Sequence, residues 1–275
     1  MGTSAAFDRT LRGAIRRELQ PRLVTDAIVN RDLVEGSFNE PDDTAELIDL
    51  DSLSVNDYNG GFTGSVQDIT GTKQQITTDH RKGFRFKADE TDTAAQIADQ
   101  IAQQDGLSEL LESAQKYVLG FHSQANLQVT YDPSSDDIRT VFTELATKLD
   151  NANVPDEGRW SIVPPRAYHD IKEDLEDRTT ALGDNVITGP GFGGVYKGVS
   201  VFRTNVSNFT QTGTSPAYDH GLAGYPGSIA YEDSILSIKR VDAESFLGQI
   251  VQGVHVAGGK VARADATVDF RVQVN

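Results

Sequence analysis

The stretch Leu149–Tyr168, LDNANVPDEGRWSIVPPRAY, contains a turn, a strand and the start of a helix in close succession. The apolar run Trp160–Val163 follows turn residues and is typical of a short buried strand. Two prolines then end the strand, and a helical spacing of apolar residues follows them. The stretch therefore predicts a turn, a short strand, a proline break and a helix. The inward side of the predicted helix carries Tyr168, Ile171 and Leu175.

Two further amphipathic helices are predicted upstream of this stretch. Apolar residues recur at three- and four-residue steps from Ala94 to Val118, which predicts a long helix with a weak point at Gly106. A second helix follows the break YDPSSDD, with Ser134 as its candidate N-terminal cap. Its predicted buried stripe consists of Ile138, Val141, Phe142, Leu145 and Leu149.

The segments before the long helix have little apolar content. Residues Arg12–Val34 form a helical pattern that Pro21 interrupts, which is typical of an arm. A long hairpin is predicted after it, with turn signals at Asn59–Gly61 and Thr70–Thr72. The hairpin ends in a strand whose apolar and cationic faces alternate. The apolar face carries Phe84, Phe86 and Ala88, and the cationic face carries Arg85 and Lys87.

The last segment, DATVDFRVQVN, alternates apolar and polar residues and therefore predicts a strand with one buried and one solvated face. The predicted buried side consists of Val268, Phe270, Val272 and Val274. The predicted solvated side consists of Thr267, Asp269, Arg271 and Gln273.

No motif in the chain predicts a catalytic or cofactor site. The glycine cluster Gly189–Gly194 precedes a strand-like sequence, whereas a dinucleotide fingerprint precedes a helix, so the cluster is predicted to connect strands. The stretch Gly253–Ala262, GVHVAGGKVA, lacks the spacing of a phosphate-binding P-loop. Cysteine is absent, and no serine elbow is present. We therefore expect no enzyme activity and no cofactor. The histidines are scattered and are expected to be surface or packing residues: His80, His122, His169, His220 and His255.

The formal net charge of −16 is spread along the whole chain. A dedicated nucleic-acid reader would instead show a basic patch with interleaved aromatic residues. Asp outnumbers Glu about two to one, and Arg outnumbers Lys similarly, as in proteins of salt-loving organisms; an ordinary acidic protein is the alternative. No apolar run approaches the about 18 residues of a membrane span, and no secretory signal is expected.

Several stretches resemble the major capsid proteins of tailed double-stranded DNA viruses, which have the Hong Kong 97 fold. They are LVTDAIVNRDLVEG, ITTDHRKGFRFKAD, LDNANVPDEGRWSIVPPRAY, GGVYKGVSVFRTNVSN and ESFLGQIVQGVHVAGGKVARADA, and the similarity spans nearly the whole chain. The resemblance implies an α+β fold with an N-terminal arm, an extended loop, a long spine helix, a peripheral domain and an axial domain. The implied boundaries are 1–50 for the arm, 51–90 for the loop, 91–131 and 226–275 for the peripheral domain, and 132–225 for the axial domain.

The resemblance also implies a function. The chain would self-assemble into hexamers and pentamers of an icosahedral shell that encloses double-stranded DNA without reading its sequence. Portal, scaffold and decoration or turret proteins would be further partners, and no membrane would be involved. The shell would assemble in the cytoplasm of a halophilic host and form the virion capsid. An encapsulin-like compartment shell is the main alternative, and a nucleotide-dependent enzyme is a third.

Assembly contacts are predicted on the extended loop. The loop and the arm have too few apolar residues to fold by themselves, so they are expected to bury surface against neighbouring subunits. The cations Arg85 and Lys87 would meet carboxylates of a neighbouring subunit, unless they only solvate a strand face. The predicted interface residues are Asp68, Thr70, Gly71, Lys73, Arg85 and Lys87.

Overall fold

The computed structural model describes residues 24–38, 43–50, 71–89, 105–176, 192–203, 211–242 and 248–274. The helices of these residues are α1 (Asp105–Leu119), α2 (Ile138–Asn151) and α3 (Pro165–Glu176). The strands are β1 (Val34–Glu35), β2 (Thr44–Leu50), β3 (Gly71–Thr77), β4 (His80–Asp89), β5 (Leu127–Tyr131), β6 (Trp160–Val163), β7 (Phe192–Tyr196), β8 (Val199–Arg203), β9 (Ala217–Gly224), β10 (Ile229–Asp242), β11 (Gly248–Val261) and β12 (Val268–Val274).

These strands form three sheets. The first has the order β1-β2-β3, and β2 and β3 form an antiparallel hairpin. The second has the order β10-β11-β4 and is antiparallel throughout. The third has six strands in the order β5-β12-β9-β6-β8-β7 and is mixed, because β12 runs parallel to β5 and β6 runs parallel to β8.

Helix α2 supplies much of the core of the six-stranded sheet. Its predicted stripe from Ile138 to Leu149 is buried as expected. Phe142 is fully buried, and its ring lies 5.0 Å from that of Tyr196 and 5.6 Å from that of Phe270, measured between centroids. Aromatic side chains from a helix and two strands therefore meet in one cluster.

The cap of α2 differs from the predicted one. Asp137 is the N-cap, and its carboxylate accepts a hydrogen bond from the backbone N–H of Arg139. Ser134 instead donates its hydroxyl to Asp132 across 2.6 Å in the preceding turn. The prediction of Ser134 as the cap was wrong because Asp132 holds it outside the helix.

The stretch Leu149–Tyr168 folds as predicted. Strand β6 covers Trp160–Val163, and all four of its residues are buried because β6 lies between β8 and β9 inside the sheet. Helix α3 begins at the second proline, which suits the first turn of a helix. Ile171 is buried, and Tyr168 and Leu175 are partly buried against the core.

The closing strand β12 departs from its predicted pattern. Val268, Phe270 and Val272 are buried as expected, but Thr267 and Asp269 are buried as well. The reason is that the 3₁₀ turn Gly120–Gln124 after α1 contacts β12 and places His122 against Asp269, so the face predicted to be solvated is covered as well. A central strand covered on both faces cannot keep one face in water.

The glycine-rich segment connects strands where the structure describes it. Strands β7 and β8 form a hairpin in which Lys197 and Gly198 have φ angles of 52° and 79°. Two positive φ values are typical of the tight turns that match the twist of a hairpin. Gly189–Gly191 lie outside the described residues. At the other predicted turn, Gly71 and Thr72 lie inside β3, so that prediction was wrong at these two residues.

Other expectations fall partly outside the described residues. Helix α1 covers the second half of the predicted long helix, with Gly106 in its first turn, and residues 91–104 lie outside the description. The domain boundaries stay predictions. Strands β5 and β12, from the ranges predicted to be peripheral, share the six-stranded sheet with strands of residues 160–224, from the range predicted to be axial. The β2–β3 hairpin begins at Thr44, within the range predicted to be the arm.

Candidate assembly surface

The base of the β2–β3 hairpin is fixed to the second sheet by a small apolar cluster. Ala45 and Leu47 of β2 and Ile76 of β3 are buried on one face of the hairpin. They pack with Phe38, and the cluster continues to Ala230 of β10 and to Val256 of β11. The apolar side chains at the base of the hairpin are therefore buried against their own chain. This burial stabilises the position of the base by about 25 cal/mol per Å² of apolar surface.

A glycine in β11 allows this close approach. A Cβ atom at Gly258 would lie 2.5 Å from the carbonyl oxygen of Thr77 and 2.9 Å from the ring of Phe38. Any side chain at this position would push β3 away from β11. Gly258 therefore sets the distance between the hairpin and the sheet that carries it.

The opposite face of the hairpin is polar and open. Lys73 donates a 2.5 Å hydrogen bond to Glu46, and the side chains are 62% and 40% exposed. The hydrogen bond to Glu46 raises the pKa of Lys73. This exposed face of the hairpin is available for contact with another molecule. The predicted interface residue Lys73 lies on this face.

The other predicted interface residues are placed on different strands or lie outside the description. Gly71 is the first residue of β3 and pairs with Leu50. Arg85 lies on β4 opposite Gln252, is exposed, and forms no ion pair with any residue of the described ranges. Lys87 lies on the same strand, but its side chain is outside the description, as are Asp68 and Thr70. Lys73 and the two β4 cations therefore belong to separate sheets.

Strand β4 is an edge strand of its sheet. It pairs with β11 on one side from His80 to Asp89, and no described strand pairs with its other side. An unpaired edge presents free backbone donors and acceptors, and cationic side chains such as that of Arg85 oppose unwanted strand addition there. This edge is the second part of the candidate assembly surface.

The arm segment before the hairpin is bound to β10 through backbone and apolar contacts. The backbone N–H of Asn30 donates to the carbonyl of Ile229 across 2.9 Å, and Asn30 bridges to Ala230. Ile28 is buried in the cluster that includes Trp160 and Tyr231. The described part of the arm therefore packs within its own chain.

Arg31 extends this attachment with a charged network. Its guanidinium donates to Asp26 across 2.9 Å and to Asp233 of β10, and it lies 5.3 Å from the centre of the Tyr231 ring. Asp233 also contacts Nε2 of His255 on β11 at 3.1 Å. One partly buried carboxylate thus joins the arm to two strands of the second sheet.

The network determines the ionisation of its members. Burial alone would raise the pKa of Asp233, but the hydrogen bond with His255 and the charge of Arg31 outweigh burial and lower that pKa to about 2. Burial opposes the charge on Arg31, yet Asp233 and Asp26 raise its pKa. Both groups are therefore charged at neutral pH, and each stabilises the other.

Sequence spacing could not reveal this network or a second polar cluster. Arg31 and Asp233 are separated by most of the chain. The second cluster joins His122, His220 and Asp269, although the two histidines are far apart in the sequence and were predicted to be surface or packing residues. Only strand pairing and the turn after α1 bring these residues together, and no local pattern encodes such contacts.

Comparison with solved structures identifies the fold. A chain from the structure of Mycobacterium phage Che8 matches with a TM-score of 0.61 at 21% identity, covering 88% of each chain. The capsid of Ralstonia phage GP4 matches with a TM-score of 0.63 at 10% identity, covering 93% of this chain and 90% of that one. The virus-like particle from Pyrococcus furiosus matches with a TM-score of 0.55 at 11% identity, covering 96% and 99%.

The sequence itself matches no protein-family model and no curated protein. None of the helices in the described ranges has the length and apolarity of a membrane span. In each of these three comparisons the match covers 88% or more of both chains, so the likeness is not confined to one part of the fold. The chain has the Hong Kong 97-like α+β capsid fold, and the predicted fold class is confirmed.

Proposed function

We propose that this chain is a major capsid protein that self-assembles into hexamers and pentamers of an icosahedral shell. The observation that carries the proposal is the likeness, over nearly its whole length, to phage capsid chains from several structures. Its role would be structural and not catalytic, and it would form the virion capsid after assembly in the host cytoplasm. Double-stranded DNA, portal, scaffold and decoration or turret proteins would be its partners.

The hairpin and the β4 edge support the assembly role. One face of the hairpin is buried in its own chain, whereas Lys73, Gln75 and Thr77 of β3 are exposed on the other. A subunit of a closed shell needs such outward surfaces, because contacts between copies must be repeated around each symmetry axis. We expect the exposed face and Arg85 to contact neighbouring copies.

A closed shell without a viral genome is the second candidate function. The likeness to the virus-like particle of Pyrococcus furiosus covers 99% of that chain and favours it specifically. Both candidates share the fold, so the contents of the particle distinguish them. Nuclease-resistant DNA of uniform length inside native particles supports the capsid, and protein cargo without such DNA supports the compartment.

Electron microscopy of the purified protein tests self-assembly directly. The informative variant replaces residues 51–70 with Asn-Gly, because Leu50 and Gly71 are paired and a two-residue turn of this type closes a hairpin. We expect a folded chain with the same thermal unfolding temperature and without closed shells. Normal particles from this variant would show that residues 51–70 are not needed for assembly.

The β4 cation gives a second test with a matched control. Arg85→Glu reverses the charge on the exposed edge, whereas Arg85→Lys keeps it. We expect particles from Arg85→Lys and impaired assembly from Arg85→Glu. Equal assembly of both variants would indicate that Arg85 only solvates the strand, as exposed ion pairs contribute about 0–1 kcal/mol.

We further propose that shell assembly needs high salt, as expected for a halophilic host. Each subunit carries a formal charge of −16, and the screening length falls from about 30 Å at 0.01 M salt to about 3 Å at 1 M. Light scattering during dilution from molar to millimolar sodium chloride, with and without magnesium, tests this. Particles that stay intact without magnesium contradict the salt requirement.

The same charge bears on DNA contact. Backbone binding depends on Lys and Arg that neutralise phosphates and release counterions, and this chain has 25 such residues against 41 acidic ones. We expect weak binding of duplex DNA that does not depend on sequence. Tight and selective binding by unassembled subunits, measured by fluorescence anisotropy, contradicts this part of the proposal.

A further inference from the structure

Three polar side chains from distant parts of the chain meet between α1 and the six-stranded sheet. His122 lies in the 3₁₀ turn Gly120–Gln124, His220 on β9 and Asp269 on β12. Their exposed fractions are 9%, 2% and 3%. The two imidazole rings are stacked, with centroids 4.0 Å apart and an angle of 18° between their planes.

One possible donor atom from each of the three side chains lies close to those of the other two. Nδ1 of His220 lies 2.7 Å from Oδ1 of Asp269, and Nδ1 of His122 lies 3.8 Å from the same oxygen. One donor atom from each residue lies within 4.8 Å of the others. Bonds of about 2.1 Å in a tetrahedral site place ligand atoms roughly 3.4 Å apart. Because the two rings are stacked and nearly parallel, binding of one ion by both histidines requires the less buried ring, that of His122, to rotate so that its nitrogen lone pair faces the ion.

The outer atoms of two of these side chains have hydrogen-bond partners. Nε2 of His220 lies 2.6 Å from the hydroxyl of Thr212, and Oδ2 of Asp269 accepts a 2.7 Å hydrogen bond from Nε of Arg271. Partners of this kind orient metal ligands and fix the tautomer of a ligating histidine. Among the described residues, His122 has no hydrogen bond to either ring nitrogen.

We propose that His122, His220 and Asp269 form a binding site for a divalent transition metal ion of the Zn²⁺ class. Two imidazoles and one carboxylate are a donor set that Zn²⁺ accepts, with a water molecule as the fourth ligand. The residual exposure of His122 provides the contact with solvent. The ion would join the end of α1 to the central strands β9 and β12.

The protonation of the site is compatible with binding. Burial and the neighbouring His220 lower the pKa of His122, which favours the neutral imidazole that metals need. Without metal, Nδ1 of His220 is hydrogen-bonded to Asp269 and Nε2 to the hydroxyl of Thr212. When Nδ1 of His220 binds the metal, the ring N–H group is at Nε2 and donates a hydrogen bond to the Thr212 hydroxyl.

Arg271 provides a test that a purely structural cluster would not pass. Its guanidinium shares Asp269 with the proposed ion and repels it, so it weakens binding. Arg271→Gln keeps a hydrogen-bond donor and removes the charge. We expect this variant to bind metal about tenfold more tightly, since one opposing charge at short range changes affinity by at least this factor.

The experiment uses the full-length chain, freed of metal by a chelator and titrated with ZnCl₂ in a calorimeter and with CoCl₂ in an absorption spectrometer. We expect one ion per chain and the visible bands of tetrahedral Co²⁺. Zn²⁺ should also raise the unfolding temperature reversibly, because it binds the folded state.

Two histidine variants complete the test. His122→Gln removes the least buried ligand, so we expect a folded chain with metal affinity at least about tenfold lower and no cobalt bands. His80→Gln is the matched control, because His80 is a half-buried histidine elsewhere in the fold, and its bands should be unchanged. Absence of stoichiometric binding by the wild type, or equal binding by His122→Gln, would overturn the proposal.

Discussion

The carboxylate of Asp233 makes a pH-dependent contribution to stability that the structure allows us to estimate. Its pKa falls from an ordinary value of 3.8 to about 2 in the folded chain. One pKa unit corresponds to about 1.4 kcal/mol, so ionised Asp233 contributes about 2 kcal/mol to the free energy of unfolding at neutral pH. Because the pKa is lowered by folding, this contribution is complete above pH 3.8 and is lost as the pH falls towards 2.

Asp233→Asn isolates this contribution. The free energy of unfolding is measured in urea at pH 7, 5, 3 and 2, at protein concentrations where light scattering detects no particles. We expect the advantage of the wild type over the variant to be constant from pH 7 to 5. About half of the 2 kcal/mol that depends on the ionisation of Asp233 should be lost at pH 3, and most of it should be lost at pH 2.

The matched control is Asp265→Asn, which removes an exposed carboxylate whose partner Arg263 is also exposed. This control should differ little from the wild type in the free energy of unfolding at pH 7, because exposed ion pairs contribute about 0–1 kcal/mol. If the difference between wild type and Asp233→Asn stays constant from pH 7 to 2, then Arg31 and His255 do not stabilise the ionised carboxylate, and the reasoning is refuted.

Three further substitutions test the packing, the cap and the turn, each by the free energy of urea unfolding. Phe142→Ala should lower it by about 3–5 kcal/mol, because it leaves a cavity between Tyr196 and Phe270; a loss below about 1 kcal/mol contradicts this. Asp137→Ala should cost about 0.5–2 kcal/mol through loss of the N-cap of α2, whereas Ser134→Ala should have a smaller effect. Gly198→Val should cost at least about 1 kcal/mol because φ is positive there, although a Cβ atom meets no other atom within 4 Å; an unchanged stability would show that the turn adapts.

The sequence predicted those parts of the fold that depend on local spacing. The buried stripe of α2 follows from apolar residues at helical steps, and strand β6 with its proline stop follows from the stretch Leu149–Tyr168. Both signals are encoded within a few residues, and burial of one face is enough to select the element. The resemblance to capsid proteins then supplied the order in which such elements are combined.

Tertiary structure alone decided which polar residues are buried and which of them meet. Asp269 lies between Val268 and Phe270 in an alternating pattern that predicts solvent exposure, yet the turn holding His122 covers it. Arg31 reaches Asp233 only because the arm lies against β10. The physical reason is that an alternating sequence assigns side chains to the two faces of a strand but does not determine whether one face or both are covered. That depends on contacts with elements far away in the chain.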